Sequence, residues 1–464
     1  MRTSGAVELV ESVLDGHHPP SPRTVDALRG LTLPDDPAEA DDDDRIRAAA
    51  RIMALSRMGQ VDAASALAQA WREVPSPSRG ASPLVALGPL GAIVEAEIAA
   101  GRIAAAEPLA ERMLTLALDV GEPAWIRRAL GLRAAASALS GDLDSAAALL
   151  ARITRRHPTE PDAVDDMAEM ADALVAFAAL DGPRLDAVGA RLRRLAERDA
   201  HAGPLGRLAE AAAALVAGDG HRMTALTSRL VRGSGPTSFG ALVPLLALGL
   251  QAFALVRDDE PMRALGVLRE TTSDEEHIWC PSVLRAAAHL RLGDPRSALN
   301  ATTGCVRMRN RHSLHTLGSI LLIRGIAHLR LQMTSLGRRE IGEAFAVFGQ
   351  STPAATFALL HPVDQRMVLT AVNDDQAVPE AVRAALHPSS TSTAEAPAFP
   401  VLTPRERAVA AQLSRPQTFA EIAASLHVAP STVKTQALSI YRKLRVSTRD
   451  DAVGLLEQSG YFEQ

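Results

Sequence analysis

The sequence predicts an all-α protein in two parts: an α-solenoid of stacked helical hairpins, then a small four-helix module. Three observations lead there. Hydrophobic residues make up 47% of the 464 residues but aromatics only 3%. Cores must then be built largely from Ala, Leu, Val and Ile, of which Ala and Leu are strong helix formers. Apolar-periodic runs broken by short polar or Gly-containing turns recur through the centre of the chain. The turns fall near Gly59, Gly101, Gly141, Gly182, Gly218, Asp258, Gly293 and Gln332, a mean spacing of 39 residues. Finally, the chain has only two lysines, Lys434 and Lys443, both in one short C-terminal segment. A chain of this length exceeds one ordinary core.

From the N-terminus, Met1 to Glu8 soon meets an acidic residue and lacks the apolar core of a signal peptide. Residues 34–44 include Asp41-Asp42-Asp43-Asp44 and read as a mobile acidic loop. Residues 1–44 are thus expected to hold N-terminal helices and this loop. Residues 45–386 form the repeat region. Two helices and a turn fill about 39 residues, as in tetratricopeptide-like repeats. In Leu139-Ser140-Gly141-Asp142-Leu143, Gly141 suits a left-handed helix end and Asp142 suits the cap of the next helix. The consensus Trp, Tyr and Pro positions of strict tetratricopeptide repeats are mostly missing, so the reading is stacked hairpins of that class. Phe239 to Val256 is nearly all apolar, but Pro244, Gly249, Gln251 and its place in the repeat argue against a membrane span.

Cys280 and Cys305 give no disulfide framework and no zinc spacing, and read as small buried hydrophobes in a reducing cytoplasm. His289, His312, His315 and His328 share one region. His312 and His315 are three apart and fit one helix face, but two imidazoles without a third ligand make no metal site. No His-Glu-x-x-His or Gly-x-Ser-x-Gly occurs. No catalytic residue, cofactor or metal is predicted. A stacked repeat presents an extended concave groove, where Arg127, Arg128, Arg133, Arg285 and Arg324 are candidates to line it, against the plainer reading of solvated arginines.

Residues 387–400 are rich in Ser, Thr, Pro and Ala and predict a flexible linker. Charge then changes sign. Residues 1–400 carry 41 basic and 48 acidic side chains, whereas 402–449 carry eight basic and two acidic. A basic module on an acidic body fits polyanion binding at one end.

Within 401–464, Thr403 with Glu406 and Thr418 with Glu421 read as capping boxes, and Pro404 suits a first helical position. Helices should run to about Leu413 and Leu426. His427-Val428-Ala429 is a tight turn, Pro430 opens a third helix, and Ser447 to Asp450 cap a fourth. Two helices joined by so short a turn make a helix-turn-helix. On the third helix Val433, Ala437, Ile440 and Leu444 form an inward stripe. Ser431, Thr435, Leu438 and Arg442 lie opposite, with Lys434 and Ser439 on the flanks. Such a face fits a major groove. Lys434 reaches a guanine edge or a phosphate; Thr435 and Leu438 suit thymine methyls; Ser431, Thr432, Arg442 and Lys443 suit phosphates. The alternative is a solvated face of a small bundle.

Leu402-Thr403-Pro404-Arg405-Glu406-Arg407, Glu421-Ile422-Ala423, Thr432-Val433-Lys434-Thr435, Ile440-Tyr441-Arg442-Lys443-Leu444 and Arg449-Asp450-Asp451-Ala452-Val453 closely resemble the LuxR-type DNA-binding domain. The resemblance spans about 402–456. It implies a four-helix module whose third helix enters the major groove and whose fourth often pairs two copies. It also implies double-stranded promoter DNA and RNA polymerase as partners, and a homodimer through the C-terminal helix. Departures fall at Gln436, Ser439, Arg445, Ala429 and Ser414 to Gln417. They bear on which bases are read rather than on the phosphate-binding set. Large MalT-like regulators add an ATPase upstream. With no lysine before Lys434, no P-loop exists here, nor the lysine of a receiver domain.

The expectation is a cytoplasmic, non-enzymatic, sequence-specific transcription regulator without a membrane segment. Its repeats would sense a protein, peptide or small-molecule effector. The rival is a helical-repeat scaffold that binds protein and not DNA.

Overall fold

A computed structural model describes residues 5–8, 10, 26–28, 30, 32–34, 36–72, 82–156, 165–197, 202–232, 242–269, 271, 280–308, 312–349, 354–372, 404–413, 415, 417–444, 446, 448–449 and 452–453. The chain divides into two compact units, Met1–His387 and Pro388–Gln464.

The first unit is an α-solenoid. Among the described residues, eight helical hairpins follow in order: α1 (Asp42–Arg57) with α2 (Val61–Trp71), α3 (Pro83–Ala99) with α4 (Ile103–Val120), α5 (Pro123–Ser140) with α6 (Leu143–Arg156), α7 (Asp166–Ala178) with α8 (Gly182–Ala196), α9 (Ala202–Val216) with α10 (Gly220–Val231), α11 (Leu242–Arg257) with α12 (Pro261–Val267), α13 (Pro281–Arg291) with α14 (Pro295–Arg307), and α15 (Leu314–Arg330) with α16 (Thr334–Phe348). Short α17 (Ala354–Ala358) and α18 (Pro362–Val372) follow. First helices stack on one another along the solenoid, α1 on α3, α5 on α7, α9 on α11, α11 on α13 and α13 on α15. Their cores are dominated by small residues such as Ala134, Ala135, Ala212, Ala213, Ala286 and Ala287, which let the helix axes approach closely.

Each hairpin turns in the same way. A left-handed residue stands at Gly59, Gly101, Gly141, Leu180, Gly218, Asp259, Gly293 and Gln332. At Gly59 the N–H bonds Ser56 O (3.0 Å) and the next N–H, of Gln60, bonds Leu55 O (2.9 Å). The same pair of bonds recurs at Gln332, to Leu329 O (3.0 Å), and at Met333, to His328 O (2.9 Å). This is the Schellman closure, which satisfies the last carbonyls of the first helix. At four of the eight turns the next residue caps the second helix with its side chain: Asp142 accepts from Ser145 N–H (3.1 Å), and Asp181, Asp219 and Asp294 do likewise.

Two of the turns, expected near Gly182 and Asp258, turn on a neighbouring residue. The left-handed residue is Leu180 rather than Gly182, which is the first residue of α8, and Asp259 rather than Asp258. The acidic run is a correction. Asp41 and Asp44 form a capping box, and Asp42 to Asp44 are the first turn of α1, not a loop. Carboxylates gather there because a helix N-terminus offers unpaired N–H groups and a positive dipole end.

Among the described residues no helix is long and apolar enough to cross a membrane. The apolar segment becomes α11, packed between α9, α10, α12 and α13. The solenoid also curls back on itself. Gly141, at the turn after α5, lies against the backbone of Leu314 and His315, where a Cβ would approach Leu314 N to 2.7 Å. Helix α17 packs on α7.

Candidate nucleic-acid interface and effector cavity

The second unit contains α19 (Pro404–Leu413), α20 (Phe419–Ser425) and α21 (Pro430–Leu444). Helix α20 opens on a full capping box: Glu421 N–H donates to Thr418 Oγ1 (3.3 Å), and Thr418 N–H to Glu421 Oε2 (2.7 Å). The Thr418 N–H, and its hydroxyl beside it, donate to the Glu421 carboxyl and hold it below its ordinary pKa. Thr403 lies outside the described residues, and so does its expected box with Glu406; Glu406 itself is buried and accepts from Ser439.

The turn between α20 and α21 is another Schellman closure. His427 is left-handed, φ 54°, with its N–H on Ala424 O (3.3 Å) and Val428 N–H on Ala423 O (3.0 Å). It aims α21 across α19 and α20, both of which it packs against. Val433, Ala437 and Ile440 are fully buried with Val409, Ala410, Leu413, Ile422 and Ala423. The side chain of Leu444 lies outside the described ones.

Ser431, Thr432, Lys434, Thr435 and Leu438 are exposed on α21, Leu438 by 57%. Thr435 Oγ1 donates to Ser431 O (2.9 Å), so its hydroxyl proton is engaged along the helix. Ser439 differs from its neighbours: it is half-buried and donates to Glu406 Oε1 (2.7 Å). The side chains of Arg442 and Lys443 lie outside the described ones, as does Arg445.

Sequence reasoning gave Arg449 no role beyond capping. Its guanidinium donates to Leu413 O (2.9 Å), Arg415 O (2.5 Å) and Gln417 O. One side chain thereby ties the end of α19 and the following loop to the start of the last helix. Of that helix, Arg449, Ala452 and Val453 are described, and Ala452 is fully buried in the module's core.

The repeat unit has a different opening. A cavity of about 190 Å³ lies along the first helices of the later hairpins. Met170, Leu174 and Phe177 of α7, Leu208 of α9, and Leu250 and Phe253 of α11 form apolar walls. His315, Thr316, Ser319 and Thr356 bring the polar atoms. Ser319 and Thr356 hydroxyls bond each other (2.8 Å). His315 packs on Phe348, ring centroids 5.8 Å apart, and desolvation pushes its pKa down to about 4. His312 precedes Ser313, the cap of α15, so it does not share a helix face with His315.

Three of the five candidate groove arginines, Arg128, Arg285 and Arg324, are internal struts instead, and Arg133 is held in ion pairs at the surface. Arg128 is buried against Glu95, Asp165 and Asp166. Arg133 meets Glu107 and Glu111, Arg285 donates to Leu268 O and Thr271 O, and Arg324 meets Glu340 and Thr302. Arginine on a helix that is covered on two sides by neighbouring hairpins must find carboxylates or carbonyls to stay charged. Arg127 is half-buried.

Comparison with known proteins places one part of the chain. Residues 400–456 match the family described as bacterial regulatory proteins, luxR family. Two curated relatives, each named probable transcriptional regulatory protein NarL, come from Mycobacterium tuberculosis strains CDC 1551 / Oshkosh and ATCC 25618 / H37Rv. Each is 52% identical over 58 residues, which is 12% of this chain and 27% of the relative. The chain thus spans about a quarter of the length of these relatives. Among solved structures, that of the APC/C hetero-tetramer Cut9-Hcn1 aligns over 83% of both chains at 10% identity, with a TM-score of 0.39.

Proposed function

We propose that this chain, whose C-terminal module is a LuxR-type helix-turn-helix domain, is a sequence-specific DNA-binding transcription regulator that takes its input through the repeat unit. One observation carries the reading. Helix α21 buries Val433, Ala437 and Ile440 completely and leaves Ser431, Thr432, Lys434, Thr435 and Leu438 bare on the other side. A helix so presented is sized for the major groove. Lys434 contacts a guanine edge or a phosphate, and Ser431 and Thr432 contact phosphates. The methyl groups of Thr435 and Leu438 meet thymine methyls. Arg442 and Lys443 extend the phosphate contacts. Ser439 serves by holding Glu406 and so setting the pitch of α21 on α19. A second copy pairs through the last helix on a two-fold site, and RNA polymerase is the partner at the promoter.

The input is a small apolar effector in the 190 Å³ cavity, whose walls are hydrocarbon with a few hydroxyls and one neutral imidazole. This is the usual chemistry of a small-molecule site.

Binding of the full chain to promoter duplex, followed by fluorescence anisotropy against salt, tests the first claim. Affinity is expected to fall steeply with salt. Lys434→Ala should weaken it by roughly tenfold. A salt slope lower by about one marks a phosphate contact, and relaxed choice at one base pair marks base reading. A chain that binds no duplex in a salt-sensitive way is not this regulator.

A further inference from the structure

Cys280, Cys305 and His312 are far apart in sequence and close in space. Cys280 is the residue before α13, Cys305 lies in the last turn of α14, and His312 stands just before α15. One donor atom from each lies within 4.8 Å of the others, and all three residues are buried. The sulfurs are 3.6 Å apart. A disulfide needs about 2.05 Å. Two thiolates sharing a tetrahedral zinc at about 2.3 Å stand roughly 3.8 Å apart.

The histidine is already oriented. Its Nδ1 lies 2.9 Å from Met308 O. A carbonyl only accepts, so Nδ1 carries the proton and Nε2 carries the lone pair. Fixing a ligand's tautomer through a backbone carbonyl is how proteins prepare imidazole for a metal. The surroundings are apolar: Ile320, Val283 and Val306 pack on the two cysteines. In such a place a dication held by two thiolates is neutral, which suits burial better than any unbalanced set.

We propose that Cys280, Cys305 and His312 form a Cys2His site for a zinc-class dication that braces the α13–α15 segment. Binding exchanges two thiol protons for the metal, with Sγ of both cysteines and Nε2 of His312 as donors. A water fills the fourth position, on the side where Cys280 also borders the cavity.

The full chain, purified under reductant, would be titrated with Zn2+ against a chromophoric chelator. One tightly bound equivalent, two protons released and a higher Tm are expected. Cys305→Ala and His312→Gln should each weaken binding by on the order of 100-fold or more, judged against outer-shell effects of roughly 10–100-fold. His221→Gln, a change at an exposed histidine, should leave it intact. If either ligand variant fails to fold, Co2+ added to the unaltered chain decides. A sulfur-to-cobalt charge-transfer band supports the site, and its absence overturns it. Equal zinc affinity in Cys305→Ala overturns it too, as does a Cys280–Cys305 disulfide that forms under saturating zinc.

Discussion

Arg128 sits 4% exposed between three carboxylates: Glu95 at 2.5 Å and Asp165 and Asp166 each at 3.0 Å. Burial works against its charge, but Asp165, Glu95 and Asp166 together outweigh that and hold the guanidinium firmly protonated. Asp165 also caps α7 through Met167 and Ala168 N–H. Arg128→Ala would therefore strand buried carboxylates and loosen a helix start, a cost of about 3–5 kcal/mol; chemical denaturation measures it. His315 makes a gentler case. Its folded pKa of about 4 lies below its ordinary 6.5. As pH falls below 6.5 the unfolded chain takes up a proton that the folded chain refuses. Stability drops between pH 6.5 and 4 and levels off below, by about 2–3 kcal/mol in all. His315→Gln should flatten that portion of the Tm–pH curve relative to the unaltered chain. Neither role was visible in the sequence. Arg128 read as a groove residue because helical periodicity says which residues share a face but not which face a neighbouring hairpin covers.

The hairpin turns were the most legible elements. Glycine at a fixed interval, followed by aspartate at Gly141, Gly218 and Gly293, encodes a left-handed stop and a cap in two letters. Where glycine is missing the backbone keeps the same conformation, φ 54° at Leu180, 60° at Asp259 and 63° at Gln332. At those turns the sequence marks the neighbourhood, near Gly182 and Asp258, but not that Leu180 and Asp259 are the left-handed residues. Gln332 is exposed, so its side chain contributes little packing. Gln332→Gly should relieve the left-handed strain and raise stability by about 1 kcal/mol, read as a higher Tm. Leu180 packs on the core, so the same change there would lose as much as it gains. In the C-terminal module the inward stripe of α21 and the Thr418–Glu421 box followed directly from spacing. Ser439's bond to Glu406 did not, because it depends on the angle at which α21 crosses α19. The Cys280, Cys305 and His312 grouping was hidden for a similar reason: its spacing belongs to helical hairpins, not to a short ligand loop.

The repeat unit closes where the turn after α5 meets the start of α15. Gly141 and Gly293 share a left-handed φ, 86° and 74°. A Cβ at Gly293 meets nothing within 4 Å, whereas at Gly141 it would run into the backbone of Leu314 and His315. Gly293→Ala should cost only the conformational strain, about 1–2 kcal/mol. Gly141→Ala should cost clearly more and, by prying the seam apart, raise hydrogen exchange across α15 and α17. Equal losses in the two variants would mean that the seam contributes nothing. The closure itself was not foreseen, because curvature accumulates from small rotations between hairpins that no single repeat displays. It has a consequence for biogenesis. Open solenoids can mature unit by unit as they leave the ribosome. Here the chamber's far wall is supplied by α15 and α17, translated more than four hairpins after Gly141. A nascent chain must hold a half-built, greasy trough in water until that wall arrives, the stage at which chaperone capture or misassembly would be concentrated.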